Sequence, residues 1–175
     1  MLKRSDGAAP KFSRLILIET IPPDGLRADL EAHTEALPPI AQRLGVPAVL
    51  ALAGRLEVQR SGAEIHVEGD LSARLSRECV ASLELFEERV DESFALRFAA
   101  ANSSAGDIDD ENAPEPLEGD TIDLAEILIQ QLSLAMNPYP RKPDAQSLAD
   151  SYGGAETASP FAGLRDAFAK SSRQE

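Results

Sequence analysis

Two adjoining stretches of alternating apolar and polar residues constrain the fold of this chain most strongly. In residues 48–59 the apolar side chains occupy even positions, namely Leu50, Leu52, Leu56 and Val58. In residues 64–76 they occupy odd positions, namely Ile65, Val67, Leu71, Ala73 and Leu75. Ser61 and Gly62 supply a turn between the two stretches. Because successive side chains of a strand point to opposite faces, this pattern predicts two half-exposed antiparallel strands joined as a hairpin.

Further strands are predicted on either side of the hairpin. The short apolar run at residues 12–18 precedes Pro22 and Pro23, which predicts a strand ended by a turn. Residues 89–99 alternate again and predict a third long strand. Gly54 and Gly69 lie within predicted strands, where glycine often marks a bulge or a sharp bend.

Two helices are predicted, and prolines limit both of them. The pattern of residues 27–44 is helical but interrupted by Pro38 and Pro39, so a short helix is expected from Pro39 to Leu44. Residues 122–136 predict a longer helix, with Asp120 as its N-cap and Asn137-Pro138 at its end. That helix is apolar over more than one stripe. It is therefore expected either to fill the centre of the domain or to contact a partner.

Together these elements predict an α+β domain over residues 12–141, with a twisted antiparallel sheet of at least four strands packed by two or three helices. Residues 1–11 are expected to be a mobile arm and residues 142–158 a flexible linker. Residues 101–120 contain seven acids and neither Lys nor Arg, which predicts a disordered acidic loop. Within the last segment, residues 159–175, a short amphipathic helix is predicted over residues 159–170. It is expected to dock on its own domain or on a partner.

The chain is strongly acidic. Its 30 acidic and 17 basic side chains give a formal charge of −13. Such a charge repels nucleic-acid phosphates over a Debye length of about 8 Å and favours a basic protein as partner, although solubility explains the charge equally well. A local patch formed by the N-terminal arm with Arg141 and Lys142 is the alternative route to RNA. The polar N-terminus and the short apolar runs predict a cytoplasmic protein that binds neither membranes nor DNA.

Reaction chemistry is not indicated by any motif. Cys79 is the only cysteine, so neither an intramolecular disulfide nor a Cys-based zinc site is possible, and a small buried hydrophobic role is favoured over a reactive thiol. His33 and His66 have no neighbours at metal-ligand spacing. The carboxylates of residues 84–92 form a dense run that predicts a solvated face. We therefore expect no catalytic residue, cofactor or metal.

Four segments, taken in order, resemble those of a known family. Residues 77–86 carry a Cys-x-x-x-Leu-Glu pattern, an Asp-Leu pair opens the long helix, and a Pro-x-Pro turn follows that helix. Residues 160–164 then read Pro-Phe-Ala-Gly-Leu. This order is similar to that of the bacterial and plastid YceD family. The matching positions, which we take as candidate interaction residues, are Cys79, Leu83, Glu84, Asp123, Leu124, Pro138, Pro140, Arg141, Phe161 and Leu164.

The resemblance implies a role in the accumulation of large-subunit ribosomal RNA and carries no catalytic residues with it. The expected function is that of a non-catalytic accessory factor that binds a basic ribosomal protein or a large-subunit assembly intermediate, with ribosomal RNA contacted indirectly. Direct RNA binding through the basic patch is the alternative, and a hydrolase acting on RNA is the least favoured one.

Overall fold

The computed structural model of the protein describes residues 12–100, 114–117 and 119–145. A short 3₁₀ turn at Ile18–Thr20 follows the first strand. The remaining elements, in chain order, are β1 (Leu15–Leu17), β2 (Leu26–Glu31), α1 (Leu37–Leu44), β3 (Ala48–Ser61), β4 (Glu64–Glu78), β5 (Leu85–Ala100), β6 (Glu115–Leu117), β7 (Thr121–Asp123) and α2 (Leu124–Ala135).

One five-stranded sheet, in the order β2-β3-β4-β5-β6, organises the domain, and β1 and β7 form a separate two-stranded sheet. The neighbours in the large sheet are antiparallel except β5 and β6, which are parallel. Helices α1 and α2 pack on one face of this sheet, and the opposite face, here called the outer face, is open to solvent. The predicted α+β architecture is confirmed.

The predicted β3–β4 hairpin is also confirmed. Ser61 pairs with Glu64, so Gly62 and Ala63 form a two-residue loop. Gly62 has a φ of 63°, a left-handed conformation that glycine adopts without the penalty of a Cβ atom. The odd-numbered apolar side chains of β4 are all buried, on the face of the sheet that carries the helices. The strand predicted at residues 89–99 is β5, which is longer at both ends.

A bulge near the start of β3 changes the predicted alternation. The register shifts between Val49 and Ala51, so that Val49 is buried and Leu50 is 40% exposed. The prediction that Leu50 faces the core was wrong, because the extra residue reverses the parity at that point.

Gly54 and Gly69 do not mark bulges, since the register runs through both without a shift. They are positions of close approach instead. A Cβ on Gly54 would collide with the side chain of Leu128 and lie 3.0 Å from the carbonyl oxygen of Asp70. A Cβ on Gly69 would lie 2.8 Å from Cζ of Phe94. The missing side chains therefore let the helix and the ring sit against the sheet.

The helical interpretation of residues 27–31 was wrong. These residues lie in β2, whose whole length pairs with β3 from Leu26 opposite Val58 to Glu31 opposite Ala53. Backbone hydrogen bonds to the sheet and burial of Ala28 outweigh the weak helical pattern. The second half of the prediction holds, since α1 has proline in its first turn and ends at Gly45, where φ is 65°.

Helix α2 starts two residues later than predicted, and its N-cap is Asp123, not Asp120. Ile122 is not helical because it pairs with Ile16 of β1. The helix fills the centre of the domain, with six of its residues buried: Leu124, Ala125, Ile127, Leu128, Ile129 and Leu132.

The predicted acidic loop contains a strand. Residues 115–117 form β6, which pairs in parallel with the end of β5, so the expectation of disorder was wrong there. A short stretch with Pro116 can hydrogen-bond along a sheet edge despite its polar surroundings. The rest of that loop at residues 101–113 and 118, the N-terminal arm, and residues 146–175 with the predicted C-terminal helix lie outside the described residues.

Candidate interaction site

The loop between β4 and β5 is closed by its own backbone. The amide of Cys79 donates to the carbonyl oxygen of Glu84 at 2.9 Å, and the amide of Leu83 donates to the carbonyl oxygen of Cys79 at 2.8 Å. This closure holds Leu83 at a φ of 58°. Leu83 is nevertheless 60% exposed.

The conformation of Leu83 is unfavourable for folding in two respects. A left-handed backbone costs a residue with a Cβ roughly 1–2 kcal/mol, and glycine or asparagine would be the ordinary choice. An exposed leucine also gains little from burial. Backbone strain of this kind clusters at functional sites, which points to a contact that the folded domain alone does not make.

The segment that follows α2 packs against this loop. The amide of Val80 donates to the carbonyl oxygen of Pro140 at 3.0 Å. Lys142 Nζ donates to Glu84 Oε2 at 2.8 Å, and this hydrogen bond is the main reason why the pKa of Lys142 is raised. Pro140 is buried beneath the contact. Two of the four family-like segments thus lie against each other, although the Glu84 and Lys142 that join them are 58 residues apart in the chain.

Cys79 lies beneath the loop and is fully buried, as predicted. The amide of Ser82 donates to its Sγ at 3.4 Å. The pKa of the Cys79 thiol is lowered to about 7, mainly by the Ser82 side chain beside it and also by the backbone of Lys142. The thiol accepts from the Ser82 amide and so helps to close the loop, while the buried Ser82 hydroxyl has no hydrogen-bond partner among the described residues.

Arg77 links the segment after α2 to the sheet, a role that was not predicted from the sequence. Its Nη1 donates to Glu88 Oε2 at 2.9 Å and its Nη2 donates to the carbonyl oxygen of Asn137 at 2.7 Å. Its side chain is only 9% exposed. Its burial could have been predicted, because Arg77 occupies an odd position of β4, where the alternation predicts a side chain that faces the core.

Four exposed apolar side chains lie on these joined segments, namely Val80, Leu83, Leu85 and Tyr139. We call this set, with the Glu84–Lys142 ion pair beside it, the Cys79-turn surface. Tyr139 is 73% exposed. Exposed large apolar side chains on segments that are fixed to one another are typical of protein interaction sites.

The outer face of the large sheet is acidic. Five arginines on it are each bonded to a carboxylate, in the pairs Arg27–Glu57, Arg55–Asp29, Arg74–Glu87, Arg89–Asp91 and Arg97–Glu64. Glu31, Glu68, Asp70 and Glu78 lie on the same face without a salt bridge to any described residue. The face therefore has a net negative charge.

Two adjoining depressions of about 730 and 510 Å³ lie at the centre of the outer face. They share Arg55, Asp70 and Ser93 in their lining. Both are open, and small side chains such as Ala53 and Ser72 form part of the floor of the larger one. Such a shape accommodates an extended chain better than an enclosed small molecule.

Asp123 is half-buried as the N-cap of α2 and Leu124 is its first residue, and they belong to neither surface. Asp123 Oδ1 accepts hydrogen bonds from the amides of Arg14 and Ala125, and Oδ2 accepts one from Ser13 Oγ. Leu124 is fully buried. Both residues stabilise the fold, which accounts for their place in the motif.

Two of the other four candidate residues lie on the exit segment, and two lie beyond the described residues. Pro138 and Arg141 are exposed on the exit segment, where Pro138 prevents α2 from continuing. Phe161 and Leu164 lie outside the described residues. The structure therefore brings together Cys79, Leu83, Glu84, Pro138, Pro140 and Arg141, and it separates Asp123 and Leu124 from them.

The described segments contain no candidate metal site and no candidate membrane span. Their His, Cys, Asp and Glu side chains form no group of three or more arranged to hold a metal ion. None of the helices in those segments has the length and hydropathy that a bilayer crossing requires.

Comparison with known proteins assigns the chain to a family. No curated protein and no solved structure matches it significantly. A family model does match, over residues 67–166, which is more than half of the chain. The match begins within β4 and includes the β4–β5 loop, α2 and the exit segment. The chain therefore belongs to the YceD family, described as large ribosomal RNA subunit accumulation protein YceD, and is involved in the accumulation of that RNA.

Proposed function

We propose that the protein is a non-catalytic, cytoplasmic accessory factor that binds a basic protein component of the maturing large ribosomal subunit. Its effect on ribosomal RNA is then indirect, through the protein that it holds. Family membership supports the ribosomal setting. The character of the partner follows from the surfaces of the domain.

The observation that carries this proposal is the continuity of exposed apolar and acidic surface. Leu85 is the first residue of β5, pairs with Glu78 across the sheet, and is followed on the outer face by Glu87. Through Leu85 the Cys79-turn surface thus adjoins the acidic outer face. Apolar side chains supply most of the affinity in protein interfaces, while charges around them select and orient the partner.

Direct RNA binding has less support from the described residues. RNA affinity rises with the number of phosphates that Lys and Arg side chains neutralise. Most of the cations that the structure describes are already bonded to carboxylates, including Arg43 to Glu126 and Lys142 to Glu84. Arg141 is exposed beside Lys142, and it is the residue around which the alternative would be built.

A hydrolase has less support still. A general acid needs a carboxyl group whose pKa is raised so that it holds a proton near neutral pH. On the outer face the shifts run in the other direction: Arg89 lowers the pKa of Asp91, and Arg97 lowers the pKa of Glu64. Both groups are ionised and paired, which suits electrostatic recognition.

Crosslinking to isolated large-subunit assembly intermediates tests the proposed function. The full chain, carrying a photoreactive group in place of Ser72 on the outer face, is irradiated with the intermediates, and protein and RNA adducts are identified by mass spectrometry. The proposal expects adducts to Lys- and Arg-rich protein segments. Adducts to ribosomal RNA alone, with a steep loss of binding as salt rises, would favour the RNA-binding alternative. Absence of binding would refute both.

A further inference from the structure

We propose that the Cys79-turn surface is the docking site for an apolar side chain of that basic partner, with Leu83 as the central anchor. The inference rests on the proposed function and adds to it the position of the anchor and the chemistry of the segment that it receives. That segment is a stretch of protein in which an apolar residue is flanked by Lys or Arg.

Leu83 is held ready for such a contact. The loop is closed by the bond from the Cys79 amide to Glu84, fixed to the exit segment by the bond from the Val80 amide to Pro140, and tied again by Lys142. A side chain presented by a fixed backbone loses little conformational entropy on binding. The strain at Leu83 is thus offset when the partner covers its side chain.

The charge of the adjoining outer face selects the partner. Beside the anchor, Glu84 is paired with Lys142, Glu87 is paired with Arg74, and Arg141 is exposed on the exit segment. The excess negative charge lies on the outer face, which begins where Glu78, without a salt bridge to any described residue, pairs with Leu85. A segment with cations beside its apolar residue complements both features, whereas an RNA strand would be repelled.

Substitutions at Leu83 can remove the anchor without harming the fold. Asparagine tolerates the left-handed backbone and lacks the apolar side chain, so Leu83→Asn separates binding from folding. Leu83→Met retains an apolar side chain at the same position. Leu134→Ala is the matched control, because Leu134 is 77% exposed but lies on α2, and alanine suits a helix.

Binding of the full-length variants to isolated large-subunit assembly intermediates is measured by sedimentation at a fixed salt concentration. Leu83→Asn should weaken binding about tenfold or more, as expected for the loss of one buried leucine from an interface. Leu83→Met and Leu134→Ala should stay within about twofold of the wild type. Wild-type affinity in Leu83→Asn would overturn the inference while leaving the proposed function intact. Failure of the wild type itself to bind would remove the proposed function.

The chain's own residues 159–170, which contain Phe161 and Leu164, are the competing occupant. Methyl NMR of Leu83 in the full chain distinguishes the two. If the partner is the occupant, replacing Phe161 and Leu164 together by alanine leaves the Leu83 methyl signals of the free protein in place. Movement of those signals would show that the tail covers Leu83 and would overturn the inference.

Discussion

Asp123 offers the sharpest test of how the fold is held together, because one carboxylate joins three segments. It caps α2 through the amides of Ala125 and Glu126, at 3.0 and 3.4 Å from Oδ1. The same oxygen accepts from the amide of Arg14 at 2.8 Å, and Oδ2 accepts from Ser13 Oγ at 2.6 Å. The Asp123→Ala substitution removes all four contacts at once.

The expected loss follows from these contacts. An N-cap contributes about 1 kcal/mol, and each of the two further hydrogen bonds contributes roughly 0.5–1 kcal/mol at an exposed site. Asp123→Ala should therefore destabilise the protein by about 2–3 kcal/mol. For a chain of this size that corresponds to a fall of about 8 °C in the melting temperature.

Urea unfolding of the full chain, followed by far-ultraviolet circular dichroism, measures the change. The midpoint should fall without a change in the slope, since the same surface is exposed on unfolding. Asp123→Asn is the matched control, because asparagine caps helices as well as aspartate does and retains the oxygen that contacts the amides. The reasoning is refuted if Asp123→Ala lies within about 0.5 kcal/mol of the wild type, or if Asp123→Asn loses as much stability as Asp123→Ala.

Three other predictions follow from single positions. Gly54→Ala should destabilise the protein by about 1–3 kcal/mol in the same unfolding assay, because its Cβ would collide with Leu128. Ser72→Ala on the outer face is the control and should have little effect. An unchanged urea midpoint for Gly54→Ala would contradict the close packing of Gly54 against Leu128. Leu83→Asn should stabilise the free protein by about 1 kcal/mol by relieving the left-handed backbone, and a clear loss would show that Leu83 contributes to folding. The pKa of the Cys79 thiol is lowered to about 7 in the folded state. The wild type should therefore gain stability relative to Cys79→Ala as pH rises from 7 towards 9, and this gain should disappear as pH falls through 7. A stability difference between the two proteins that does not change with pH would argue against thiolate formation.

The sequence predicted those elements whose signal is local. The long strands β3, β4 and β5 follow from alternation, and α1 follows from its prolines and Gly45. The errors arose where distant pairing overrides local preference. Residues 27–31 became a strand because β3 lies beside them, and residues 115–117 became a strand because β5 offered a free edge.

The sequence identified the candidate residues but did not separate those at the surface from those that stabilise the fold. The motif pattern identified Cys79, Leu83, Glu84 and Pro140, but it could not separate them from Asp123 and Leu124, which serve the fold. That difference depends on burial and on hydrogen-bond partners more than 100 residues apart in the chain, such as Ser13 and Asp123.

The hairpin, the acidic character and the order of motifs that marks the family follow from the amino-acid sequence, because periodicity, charge and motif spacing are properties of the chain alone. Tertiary structure alone decided that the β4–β5 loop meets the segment after α2. That contact requires the helix to be packed across the sheet, so that Pro140 and Lys142 reach Val80 and Glu84. The left-handed backbone of Leu83 likewise results from closing the loop between two strands in fixed register, which no local pattern specifies.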